Sequence, residues 1–109
     1  MPNILPLVLN DESLRRRISA IAKASLHSST PKVIVLPHAT QRMRKRKVLL
    51  TQVYETLIKG VVVEPAHRDI KGCWKCTLRH LTAGDVVKVT AALCQDEDGE
   101  IVVVITVMN

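Results

Sequence analysis

Aromatic residues are almost absent from this sequence. Its 109 residues include one Trp, one Tyr and no Phe, although hydrophobic residues make up 47% of the chain. That fraction is sufficient for a folded interior, which has to be built mainly from aliphatic side chains. The length fits one domain and leaves no room for a second domain with its own core.

Long apolar runs are absent as well. No segment approaches the roughly 20 apolar residues needed to span a bilayer. The stretch from Met1 to Leu9 lacks the charged start and small-residue cleavage site of a secretory signal. We therefore expect a cytoplasmic protein with no membrane partner. The three cysteines cannot form a closed disulfide framework, and we expect reduced thiols.

Acidic residues are missing between Ser13 and Tyr54, where ten residues are Lys or Arg. From Leu81 onward the balance reverses, with one Lys against five acids. Clustered Lys and Arg neutralise phosphates and release counterions, so the basic stretch favours a polyanion such as RNA as the partner. The alternative is a solvated basic face that only keeps the protein soluble.

Helical periodicity dominates the first part of the chain. Asn10 and Asp11 are candidates to cap an amphipathic helix that ends near Ser28. We interpret residues 1–31, which contain this helix, as an N-terminal extension.

A strand and two further helices are predicted next. Residues 32–36 have the composition of a short strand, and residues 38–47 that of a mostly exposed helix. Thr51 is predicted to cap a third helix, which Gly60 would end in a left-handed conformation.

From Val61 the periodicity changes to two or to continuous apolar runs, which is typical of strands. The predicted strands are Val61–Glu64, Cys73–His80, Val86–Leu93 and Ile101–Met108. The last three should form a meander, and residues 65–72 a loop. Residues 32–109 are thus predicted to form one compact α+β domain. Two to three N-terminal helices would pack on one face of a mostly antiparallel sheet of about four strands.

Three side chains in the second predicted helix have the spacing of one helical stripe. His38, Arg42 and Arg46 stand at positions i, i+4 and i+8. RNA cleavage without a metal needs a base for the 2′-hydroxyl, cations for the charge on phosphorus, and an acid for the leaving oxygen. His38 is suited to act as base or acid, and the arginines as phosphate clamps. The alternative is a histidine that caps or packs locally beside solubilising arginines.

Other basic residues are candidates for nucleic-acid binding. They lie on the first two helices and in the loop after the first sheet strand: Arg15, Arg16, Arg44, Lys45, Lys47, His67 and Arg68. For the last two, the alternative is a polar surface loop.

A second group has the composition of a zinc site: His67, Cys73, Cys76 and His80. In a strand, however, Cys73 and Cys76 project to opposite faces, whereas zinc needs converging thiolates. We therefore expect no metal. The same alternation points Trp74 toward the core, with stacking on a base as the alternative. Cys94 is predicted to be an inert buried thiol.

Residues 38–48 read HATQRMRKRKV and are followed by a helix ending near Gly60, a Gly-Cys-Trp string and a terminal meander. This order resembles a family of small prokaryotic domains of unknown function, placed near the RelE/ParE-type toxins. The family's pattern is His, three residues, Arg-Met, two residues and Arg-Gly-Ile. The resemblance covers roughly Lys32 to Asn109. One departure is Lys47 and Val48, which stand where the family usually has Gly-Ile.

The resemblance implies a compact fold similar to RelE and ParE, metal-independent RNA cleavage, and a cognate antitoxin in many cases. It transfers to His38, Arg42 and Arg46 only. ParE-like relatives act on a protein target instead of RNA, so the step from family to reaction is an analogy.

Three functions remain open. The first is a toxin-like endoribonuclease of the mRNA interferase type, which needs no cofactor. The second is a non-catalytic nucleic-acid-binding module, which the scarcity of aromatic residues disfavours because single-strand binders usually stack bases. The third is an interaction or inhibitor protein whose basic face binds an acidic protein, such as an antitoxin.

Overall fold

The structure, a computed structural model, describes residues 9–109. Residues 1–8, which contain most of the stretch tested for a secretory signal, lie outside the described part. The helices are α1 (Asp11–Ser25), α2 (Pro37–Arg46) and α3 (Leu50–Lys59), and the strands are β1 (Val33–Val35), β2 (Val61–Arg68), β3 (Trp74–Thr82), β4 (Asp85–Asp96) and β5 (Gly99–Met108). No helix in the described part is long and apolar enough to cross a membrane.

All of these strands belong to one mixed sheet with the order β1-β5-β4-β3-β2. Strands β2 to β5 form an antiparallel meander, and β1 pairs in parallel with β5. The α+β prediction is confirmed, but the sheet has five strands instead of about four. The fifth strand is β1, which was predicted as a short strand at residues 32–36 but not as a member of this sheet. Its Val33 lies beside Val102, 69 positions later in the chain. A parallel pair of this separation leaves no local hairpin signal in the sequence.

The core lies between one face of the sheet and helices α1 and α3. Its largest fully buried side chains are aliphatic apart from one threonine: Leu14, Ile18, Val53, Thr56, Leu57, Leu78, Val87, Val89, Leu93, Val102, Val104 and Val107. Trp74, which is 9% exposed, is the one buried aromatic residue in the described chain. The predicted aliphatic core is therefore confirmed, and α1 contributes to the same core as the strands.

The helix starts agree with the prediction at α1 and differ at α3. The side-chain oxygen of Asn10 accepts a hydrogen bond from the N–H of Ser13 at 2.8 Å, as expected of an N-cap. The N-cap of α3 is Leu49 instead of Thr51. Gln52 takes over the capping role, because its Oε1 accepts from the N–H of Leu49 at 2.8 Å.

Helix α3 ends just before Gly60, as predicted, but the glycine is required for a different reason. Its backbone is extended, with φ −67° and ψ 158°, so the expected left-handed conformation is wrong. The position instead lacks space for a side chain. A Cβ there would collide with the carbonyl oxygen of Thr56 and lie 3.1 Å from the Cβ of Leu78.

Strand β2 is longer than the predicted Val61–Glu64. Residues 65–68, expected to be part of a loop, continue the strand to Arg68. The strand tolerates Pro65 because this residue lies between Glu64 and His67, where the pairing with β3 is irregular and a missing N–H breaks no regular ladder bond. Two irregularities in its pairing with β3 interrupt the regular ladder.

Cys73 and Cys94 form a disulfide, so the expectation of reduced thiols throughout, and of an inert Cys94 thiol, is wrong. The β3–β4 hairpin turns at Ala83 and Gly84, which both have positive φ, 51° and 84°. This is the requirement of a two-residue type I′ turn. Residues at equal distances from this turn pair with each other across β3 and β4. The two cysteines are therefore opposite each other, with their Cα atoms 4.7 Å apart.

Cys76 projects to the other face of β3, as strand alternation predicts, and is 1% exposed. Burial, with a smaller contribution from the Asp11 carboxylate, raises the pKa of the Cys76 thiol to about 12. The thiol is therefore protonated and unreactive at neutral pH.

Helix α2 ends in a Schellman motif. The N–H of Val48 donates to the carbonyl of Met43 at 2.9 Å, and the N–H of Lys47 donates to that of Arg44 at 3.4 Å. Lys47 occupies the left-handed position of the motif, with φ 58° and ψ 40°. Glycine is usual at this position, because a Cβ is sterically unfavourable there.

Replacing Lys47 with Gly should raise the free energy of unfolding by about 1 kcal/mol, because glycine adopts the left-handed backbone conformation without that steric cost. Urea denaturation measures the change. Lys45→Gly is the matched control, since it removes the same charge from inside the helix. It should lower the free energy of unfolding by about 1 kcal/mol. Equal losses in both variants would contradict the left-handed helix end.

Iodoacetamide should modify no cysteine of the native protein purified without reductant. It should modify one cysteine after unfolding and three after unfolding with reductant, because Cys76 is buried and the other two are paired. Mass spectrometry counts the modified residues. Cys94→Ser is the control and should add one reactive thiol to the unreduced, unfolded protein. Three modified cysteines in the unfolded, unreduced wild type would rule out the disulfide.

Candidate functional site

Helix α2 is attached along the edge of the sheet that β1 forms. The N–H of Leu36 donates to the Val104 carbonyl of β5 at 3.1 Å. At the other end of the helix, Nδ2 of Asn109 donates to the Arg46 carbonyl at 3.4 Å. Between these points Ala39 is fully buried. The helix thus follows the second half of β5 with a narrow face directed inward.

His38, Arg42 and Arg46, named here the His38 stripe, lie on successive turns of α2. Consecutive members are about 6 Å apart along the helix axis. His38 and Arg42 each precede a residue that faces the core, Ala39 and Met43, so the stripe borders the buried side of the helix. His38 and Arg46 are exposed, and Arg42 is half-buried. The fold therefore places the three predicted catalytic residues along one side of a largely solvent-facing helix.

The second half of α2 and the residue after it carry five cations that have no acidic partner within residues 9–109: Arg42, Arg44, Lys45, Arg46 and Lys47. Arg42 and Arg46 are like charges at i, i+4, which costs about 0.2–0.5 kcal/mol in an isolated helix. The negative end of the helix dipole offsets part of this repulsion. A bound anion would remove the rest of this repulsion.

Arg15 and Arg16 of α1, which were predicted to contact nucleic acid, have a different environment. Glu12 accepts hydrogen bonds from Arg15 at 2.7 Å and from Arg16 at 3.1 Å. The hydrogen bond from Arg15 is the main cause that lowers the pKa of Glu12 from 4.5 to about 2. At neutral pH this carboxylate is charged and shared by both guanidinium groups. The positive charge of Arg15 and Arg16 is therefore partly neutralised within the protein.

Acidic residues of the β4–β5 hairpin pair with two further cations of the basic stretch. Arg17 lies 2.7 Å from the carboxylate of Glu100, 83 positions away, and Lys32 lies 3.9 Å from that of Asp98. No periodicity or spacing in the sequence signals pairs of this separation. The fold thus divides a basic stretch that looks uniform in the sequence, and the unpaired charge is concentrated on α2.

The other predicted contacts, His67 and Arg68, lie on the edge of the sheet opposite to β1. The Arg68 guanidinium lies over the Trp74 ring, with Cζ 5.6 Å from the ring centroid. Nδ1 of His67 donates to the carbonyl of Pro65 at 3.3 Å, and its side chain is exposed. Because Trp74 faces the core, its ring is not presented for base stacking. The structure does not bring these residues together with the His38 stripe.

The residues with zinc-ligand chemistry do not converge. Cys73 is bonded to Cys94 on one face of the hairpin, and Cys76 lies in the core on the other face. Within residues 9–109, no group of three or more His, Cys, Asp or Glu side chains is placed to hold a metal ion.

Comparison with known proteins identifies a family for the chain. The model of the domain of unknown function DUF4258 matches residues 35–109. This region starts at the end of β1, contains the His38 stripe and the whole meander, and excludes α1. No curated protein and no solved structure matches the chain significantly. Because the family match covers more than half of its length, the protein belongs to the DUF4258 family.

Proposed function

We propose that the protein is a metal-independent endoribonuclease of the toxin type, which cleaves RNA at the His38 stripe. One observation carries the proposal. An imidazole and two guanidinium groups lie along one side of a single helix, and neither guanidinium has an acidic partner in the described chain. Guanidinium groups in this state remain available for phosphate.

Cleavage at this stripe would use the 2′-hydroxyl of the RNA as the nucleophile. Its oxygen attacks the adjacent phosphorus, the 5′-oxygen leaves, and a 2′,3′-cyclic phosphate remains. Arg42 and Arg46 stabilise the negative charge that develops on the phosphate oxygens. His38 removes the proton of the nucleophile or protonates the leaving oxygen, and solvent water takes part in the other of these two proton transfers. None of these steps requires a metal or another cofactor.

The remaining cations of α2 would hold the flanking phosphates. Arg44, Lys45 and Lys47 are exposed and have no acidic partner among residues 9–109, whereas Arg15 and Arg16 share the Glu12 carboxylate. We therefore assign most of the RNA affinity to α2 and less to α1. The more distant His67 and Arg68 would contact only an RNA that extends across the sheet.

The toxin assignment rests on the resemblance to RelE and ParE. Helices that precede an antiparallel meander, and the His-x3-Arg-Met-x2-Arg motif at residues 38–46, support it. The Schellman end of α2 also supports it, because Lys47 adopts the conformation that the usual glycine of the family would adopt. Arg46 therefore remains in the last helical turn. A cognate antitoxin or another acidic protein is the expected protein partner.

The purified protein should cleave single-stranded RNA in the presence of EDTA. His38→Ala should lower the cleavage rate about 10²–10⁴-fold, because it removes the general acid or base. Arg42→Ala should lower it about 10²-fold, because the developing charge loses one donor. End-labelled RNA resolved on denaturing gels measures the rate. His27→Ala, an exposed histidine after α1, is the matched control and should keep full activity.

Other results would select among the alternatives. RNA binding that is strongly salt-dependent, without cleavage, would contradict the nuclease and favour a non-catalytic binding module. A chain that neither binds nor cleaves RNA but co-purifies with an acidic protein would favour an interaction protein. In cells, the toxin assignment requires growth arrest on expression that a neighbouring gene rescues and His38→Ala abolishes.

A further inference from the structure

An exposed apolar groove lies between the end of α1, helix α3 and the β3–β4 turn. Two adjoining depressions of about 480 and 190 Å³ share Leu26, Thr51 and Tyr54 in their walls. The apolar residues of this groove, named here the Leu49 groove, are Leu26, Pro31, Leu49, Leu50, Tyr54, Ile58 and Ala83. It contains no residue of the His38 stripe.

The leucines of the groove are unusually accessible. Leu49 is 64% exposed, Leu50 is 50% exposed and Leu26 is 49% exposed, whereas Leu14 and Leu57 in the core are fully buried. A single exposed leucine is ordinary on a protein surface. Several that line one concave surface with polar residues at its rim are typical of an interaction site.

The walls of the groove favour a helical ligand. They consist mainly of side chains of α3, whose own backbone groups are hydrogen-bonded within the helix. An extended peptide lying there would find few partners for its N–H and C=O groups. An amphipathic helix satisfies its backbone internally and presents apolar side chains at i, i+3, i+4 and i+7 to such a groove.

One cation lines the groove, and others lie close to its residues in the sequence. Lys23 lies one helical turn before Leu26, Lys59 lines the groove, and the unpaired segment 45–47 ends two residues before Leu49. The carboxylate in the lining is that of Glu55, which already accepts a hydrogen bond from the Thr82 hydroxyl and lies 3.8 Å from Lys59. The charge around the groove therefore complements an acidic ligand.

We infer that the Leu49 groove docks an acidic amphipathic helix of a partner protein. Its apolar side chains lie against Leu26, Leu49 and Leu50, and its carboxylates face the cations of residues 45–47. This docking does not require that the protein cleaves RNA, because it uses a different surface.

The test uses a fluorescently labelled synthetic peptide of about 18 residues, long enough to form a helix. It carries leucines at i, i+3, i+4 and i+7, with Glu and Ala elsewhere. Fluorescence anisotropy should show saturable binding to the full chain. Leu49→Ser should weaken binding about tenfold or more, because one apolar contact is lost. Ile70→Ser is the matched control, since Ile70 is fully exposed and lies outside the groove.

Two further experiments test the charge of the ligand and the identity of the molecule that occupies the groove. A peptide with Lys in place of every Glu should bind at least about tenfold more weakly, as opposite charges guide the pairing. The double variant Lys45→Glu/Lys47→Glu should bind the acidic peptide more weakly than the wild type, while Lys88→Glu on β4 should bind it equally well. Equal binding of both peptides, absence of binding by the acidic peptide, or equal losses in Leu49→Ser and Ile70→Ser would overturn the inference. So would a wild-type dimer in sedimentation that Leu49→Ser dissociates, because a second copy would then occupy the groove.

Discussion

The parallel pairing of β1 with β5 determines where the candidate site lies. Three residues of β1 add to the edge of the sheet, and the chain then enters α2 without leaving that edge. Ala39 is fully buried, and its small side chain allows the helix to approach the sheet closely. Because the attachment is narrow, most of the helix surface remains in solvent. The exposed stripe is thus a consequence of how little of α2 the core requires.

The distribution of charge depends on the same fold. The hairpin between β4 and β5 carries the acidic residues of the C-terminal part next to Arg17 and Lys32. Glu12 neutralises its neighbours on α1 in a similar way. Helix α2 and Lys47 receive no such partner in the described chain, and they hold every cation of the basic stretch that lacks one except Lys23. The groove beside Leu49 follows this charged segment in the sequence, so the proposed nucleic-acid surface and the proposed protein surface lie on adjoining parts of the chain.

Local patterns in the sequence were sufficient for most of the elements. The periodicity of α1, the spacing within α2 and the alternation of the meander predicted their positions, and the stripe of His38, Arg42 and Arg46 follows directly from helix geometry. The disulfide could also have been predicted. A two-residue turn at Ala83 and Gly84 pairs positions whose numbers have a constant sum, which brings Cys73 opposite Cys94.

Other features depend on contacts between distant parts of the chain. The β1–β5 pair and the Arg17–Glu100 ion pair join segments that only the complete fold brings together. Gly60 was assigned the wrong role because the collision it avoids involves Thr56 and Leu78, which no local pattern reveals. For the same reason the sequence could identify the cations but could not show which of them lack acidic partners.

The most direct measurement is NMR titration of the ¹⁵N-labelled protein with an RNA whose 2′-hydroxyl at the cleavage site is replaced by hydrogen. Such an RNA binds without being cut. We expect the largest shifts at the backbone amides of residues 38–47 and at the Nε groups of Arg42 and Arg46. Shifts confined to α1, or to His67 and Arg68, with α2 unchanged, would contradict RNA binding at the His38 stripe.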